Sequence, residues 1–169
     1  MTSLYKSDDR TLLTSVLAGE SVHLDPAAIL DGLTDAQAQT KPYGLPYSIG
    51  DLVAHLCFWQ EWFNDCLVHG FTGIPQHSEG GWPDVSGGGW DSLRERYIRS
   101  IEEAKRIATE SASLTNPLLP EANVASLARE SRGSALLRGA IHNSHHLGQI
   151  ITMRRLLGLW PPPGGTITW

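Results

Sequence analysis

SALLRGAIHNSHHLGQIITMRRLL, residues 134–157, reads as one long helix, closed by Gly158 and by the breaker Pro161-Pro162-Pro163-Gly164-Gly165. On a wheel at 100° per residue, with His142 at zero, His146 falls at about 40° and Gln149 at about -20°. Ala135, Met153, Leu156 and Leu157 lie within about 60° of the same line, so the histidines share a stripe that becomes purely apolar toward the C-terminus. A polar stripe directed at a core is costly unless its groups are hydrogen-bonded or bind something.

Working outward, a second helix is expected from Ser48 to about His69. Pro42, Gly44 and Pro46 break the chain before it, and Ser48 with Asp51 three residues on resembles a capping box. Its His55 shares a face with Leu52, Phe58, Trp59, Trp62 and Cys66. A third helix starts near Asp91, with Leu93, Tyr97, Ile101, Ala104 and Ala108 at spacings of three and four, and Pro117 and Pro120 end the region behind it. The first helix is placed at Asp8 to Glu20, and a turn at Pro26 to Leu33 has Asp25 as N-cap and Pro26 at N1. No segment alternates as a strand does. The fold class is all-α, a four-helix bundle formed by one domain over residues 1–169.

Composition narrows the function. A net charge of -5 argues against nucleic acid as a partner, and Arg154 with Arg155 is too small a patch to reverse that. No apolar run reaches the roughly 20 residues of a membrane span. Lys6, Asp8, Asp9 and Arg10 stand where a signal peptide would be apolar, so a cytoplasmic location is expected. Cys57 and Cys66, on one helix, lie about 13 Å apart along its axis and cannot bridge.

Two histidines at i and i+4 on one helix and a third from a facing helix can offer three imidazole nitrogens to a metal ion with positions left open. A single core histidine is more often a hydrogen-bonded packing residue, and His145 is a rival to His146 at i+3 from His142. Asn143 stands where a zinc protease of the His-Glu-x-x-His type has its general-base Glu, which argues against that chemistry. Phe71 to Gly89 holds Gly73, Gly80, Gly81, Gly87, Gly88 and Gly89, and its length fits either a lid or a plain surface loop.

Residues 48–56 with Trp59 and Trp62, together with residues 142–150, resemble the DinB/YfiT-like superfamily of metal-binding four-helix bundles over nearly the whole chain. The resemblance implies His55, His142 and His146 as ligands of zinc or nickel. Where the family often has Tyr before the second histidine of the last helix, this chain has His145. Better understood members are S-transferases for thiols such as bacillithiol and mycothiol, and others are isomerases. A thiol and an electrophile are accordingly the expected small-molecule partners. A metal-assisted hydrolase, for which only Asp51 offers a nearby carboxylate, and a non-catalytic metal-binding or interaction protein are the alternatives. Leu136, Leu137, Ala140, Leu147 and Ile151 form a second apolar face of the last helix, which packs either within the chain or on a second copy as a homodimer.

Overall fold

The computed structural model describes residues 10–20, 22–70, 81–83, 88–110, 114–118 and 130–165. Among them are six helices and no β-strand: α1 (Arg10–Ala18), α2 (Pro26–Leu30), α3 (Asp35–Gln39), α4 (Ile49–His69), α5 (Trp90–Glu110) and α6 (Arg132–Leu156). The four longer ones pack in a ring, α4 on α5 and α6, and α1 on the same two from the other side. No helix in the described residues is long and apolar enough to cross a membrane. Asp8 and Asp9, Pro120 and most of the 71–89 loop lie outside the described residues.

Local chemistry explains where these helices start. The Ser48 hydroxyl accepts from the Asp51 amide at 3.1 Å and the Asp51 carboxylate accepts from the Ser48 amide at 2.8 Å, a reciprocal box with Asp at N3. Asp25 caps α2 by accepting from the Ala27 amide, and Pro26 occupies its first turn. Helix α3 is not anticipated by the sequence reading. It is only five residues long and is started by a second capping box, Thr34 with Gln37. Gly70, with φ of 86°, ends α4.

The core has two apolar clusters. One gathers Ile29, Leu30, Leu52, Leu56, Tyr97, Ile101, Leu147 and Ile150, and the other gathers Leu13, Leu17, Leu67, Ala104, Ile107, Leu136 and Ala140. Between them a buried polar chain crosses three helices: Asn143 donates to Gln60 at 2.6 Å, Gln60 to Asn64 at 2.9 Å, and Asn64 to the Ser100 carbonyl at 2.7 Å. Such a chain fixes the register of α4 against α5 and α6, because each amide left unpaired in the core would be penalised.

The inward face of α6 takes in only part of the histidine stripe. Ala135 and Met153 of that stripe are buried and Leu156 is exposed, while Leu136, Ala140, Asn143, Leu147, Ile150, Ile151 and Arg154 carry the buried face round to about 120° from His142. Of the second apolar face, Leu136, Ala140, Leu147 and Ile151 are buried within the chain and Leu137 is partly buried, so most of it packs on the chain's own core. Arg154 is buried too, donating to the carbonyls of Ile29, Asp31 and Leu159 and so tying α6 to α2. It is no surface base.

Candidate metal centre

Turning the core face away from the histidines puts His142 and His146 on the flank of α6 that meets α4, where both are half-buried. Across from them His55 is 8 % exposed. One ring nitrogen from each of the three lies within 4.8 Å of the others, a group that could hold a metal ion. No aspartate or glutamate oxygen joins it among the described residues. His145 points outward and is exposed, with its ring 4.9 Å from that of His146, and stays outside the group.

Hydrogen bonds indicate which nitrogen the His55 and His146 rings present. The Gly81 carbonyl lies 2.6 Å from His55 Nδ1 and can only accept, so that nitrogen carries the proton and Nε2 keeps its lone pair. Likewise Gln149 Oε1 lies 2.6 Å from His146 Nδ1 and, accepting there, leaves the lone pair on His146 Nε2. Carbonyl partners on the far nitrogens of ligating histidines fix tautomer and ring orientation and raise ligand basicity. His55 Nε2 and His142 Nε2 stand 3.2 Å apart. Two nitrogens each 2.0 to 2.1 Å from one tetrahedral ion would be about 3.3 Å apart, so the spacing fits shared ligation.

The electrostatics suit neutral ligands. Burial pushes His142 down to about 4, and the neighbouring His146, His55 and His145 act in the same direction. Burial also lowers His55, against the opposing pull of the Gly81 hydrogen bond and with a contribution from His146. His146 is lowered by burial, opposed by Gln149 and reinforced by His145. Near neutral pH all three rings are therefore uncharged, the form that binds metal.

An aromatic wall completes the site. Trp82 stacks on His55 with centroids 4.1 Å apart, and Tyr47 stacks on Trp82 at 5.9 Å. Trp59 meets the His55 ring edge-on at 6.4 Å. Gly81 and Trp82 thus bring a described piece of the glycine-rich loop onto the metal centre.

Other sequence candidates have structural roles. Asp51 is used in the cap of α4 and sits 3.8 Å from Lys41. Asn143 is engaged with Gln60 in the core. Cys57 and Cys66 are buried, and burial followed by the Glu61 carboxylate pushes the Cys57 thiol up to about 12. The sequence reading missed Gly81, Trp82 and Tyr47 as parts of the site. For Gln149 it foresaw the need of a partner, and the i+3 spacing from His146 was the available signal.

A family model described as the DinB superfamily matches residues 26–150, well over half of the chain and including all three histidines. No curated protein and no solved structure matches it.

Proposed function

The chain belongs to the DinB superfamily, and from that premise we propose that it binds a divalent ion, zinc or nickel, through His55, His142 and His146, and uses it to transfer a low-molecular-weight thiol to an electrophile. The observation that carries the reading is the convergence of three imidazoles whose far nitrogens on His55 and His146 are already engaged by Gly81 and Gln149. A bound divalent ion supplies the positive charge that favours a deprotonated thiol near neutral pH, where a free thiol with pKa about 8.5 is mostly protonated.

The chain's own residues do the rest. Three neutral imidazoles leave the ion's charge undiminished, and the half-buried flank of α6 keeps the centre within reach of a small molecule. Trp82 covers one face of His55 and limits water there. Buried Cys57 and Cys66 offer no competing nucleophile. A metal-assisted hydrolase is less well supported, because Asp51, the nearest carboxylate in sequence, is committed to the helix cap.

The test is thiol transfer to 1-chloro-2,4-dinitrobenzene, with bacillithiol and mycothiol each as donor, before and after chelation, alongside elemental analysis. Transfer that follows metal content supports the reading; stoichiometric metal with no transfer from any thiol leaves a binding protein, and transfer undiminished by chelation refutes it.

A further inference from the structure

Beside the three histidines lies a groove of about 390 Å³ along α6, lined by Leu45, Tyr47, His145, Gln149, Met153 and Leu156 among others. We infer that this groove binds an unbranched acyl or alkyl chain, carried by a small molecule whose polar end reaches the histidines. The inference deepens the metal-centre reading and rests on it.

Size and lining come first. The volume falls in the range of pockets that take small organic ligands. Leu45 and Tyr47, from the segment before α4, face Met153 and Leu156 across it. His145 and Leu156 mark its extent on α6, eleven residues or about 16 Å along the axis. An extended chain matches that length better than a compact ring.

The groove adjoins the three histidines through shared neighbours. Gln149 lines it and also holds His146. His145 lines it and touches the ring of His146. Tyr47 lines it and stacks on Trp82, which stacks on His55. The end at His145 and Gln149 is thus polar and nearest the histidines, while Leu45, Met153 and Leu156 give the remainder a largely apolar lining with Thr152 among them, a pattern that suits an amphiphilic molecule.

Gly148 forms part of the groove floor and is exposed. A Cβ there would meet nothing within 4 Å, whereas one at Gly133 would meet the Leu114 carbonyl oxygen at 3.1 Å and one at Gly139 would meet Gln60 at 3.5 Å. A bulky side chain at position 148 therefore fills the floor without disturbing the core.

Two probes test this on the full chain. With zinc-loaded protein, affinity should rise from acetohydroxamate through hexanohydroxamate to octanohydroxamate, by up to about fourfold for each methylene taken up. Gly148→Leu should bring the octano-to-aceto ratio close to one. Leu156→Glu, at an exposed rim position where folding is not at stake, should lower the same ratio. With and without zinc, an octyl chain carrying a nitrobenzoxadiazole fluorophore should brighten on binding wild type and not Gly148→Leu, and the fluorophore without the chain should bind neither. A length-independent affinity, a ratio untouched by both variants, or a dimer that dissociates in Gly148→Leu would overturn the proposal, the last by assigning the groove to a second copy. Failure of acetohydroxamate to bind while the octyl probe still binds and is blocked by Gly148→Leu would instead sink the metal-centre reading and leave the groove standing.

Discussion

The Gly81 carbonyl accepts from His55 Nδ1 at 2.6 Å across 26 residues of sequence, so a loop glycine determines which nitrogen of a helix histidine is free. A Cβ at Gly81 would stand 2.6 Å from Trp59 Nε1, and the indole ring or the loop must shift to admit it. Gly81→Ala should weaken zinc binding by about 10-fold or more, the usual cost of disturbing a ligand's supporting hydrogen bond. Competition titration with a chelator measures it; an unchanged affinity would show that the carbonyl does not orient His55.

His55→Ala and His142→Ala should each abolish stoichiometric metal, whereas His145→Ala should retain it. Gln149→Ala should keep metal at saturation with affinity down about 10- to 100-fold, because the ligand remains and only its orientation is lost. Elemental analysis of the purified variants reads the first effect and titration the second. A site emptied by His145→Ala alone would contradict the assignment.

Protonation gives a signed expectation. The folded-state values of His55, His142 and His146 lie below the ordinary 6.5, so in the metal-free protein the unfolded chain binds more protons on acidification. The stability associated with His142 is present above 6.5 and lost progressively as pH falls toward about 4. Urea midpoints of the metal-free protein should therefore drop from pH 7 to pH 4.5, with a smaller drop in His142→Gln. Zinc affinity should likewise fall only below the ordinary imidazole value; a half-loss already at pH 6.5 or above would speak against buried neutral ligands.

Changing Cys57 and Cys66 to serine should leave most thiol transfer intact. The Cys57 thiol, buried and pushed up to about 12, should also resist iodoacetamide at pH 7.5 until the protein unfolds. Rapid alkylation of the native protein, or loss of transfer in the double variant, would redirect the mechanism to cysteine.

Gly148→Ala should stabilise the fold by about 0.5 to 1 kcal/mol, since the new methyl group meets no neighbour and the helix gains a better former. For a chain of this size that is roughly 1 to 4 °C in Tm. A lower Tm would mean that position 148 is tighter than its surroundings indicate.

The sequence by itself determined the helices other than α3 and much of their punctuation, because capping and periodicity act within a few residues. Ser48 with Asp51, Asp25 with Pro26, and the run ending at Gly158 are all legible without a neighbour in space. It also placed His142 and His146 one turn apart. Only the tertiary structure decided which face of α6 turns inward. Asn143 and Arg154 lie on that face, and a hydrophobicity count assigns such residues outward unless their distant partners, Gln60 and the carbonyls of Ile29 and Asp31, are known. The same holds for Gly81, Trp82 and Tyr47: their part in the site comes from chain segments meeting around His55, and no local pattern encodes that meeting.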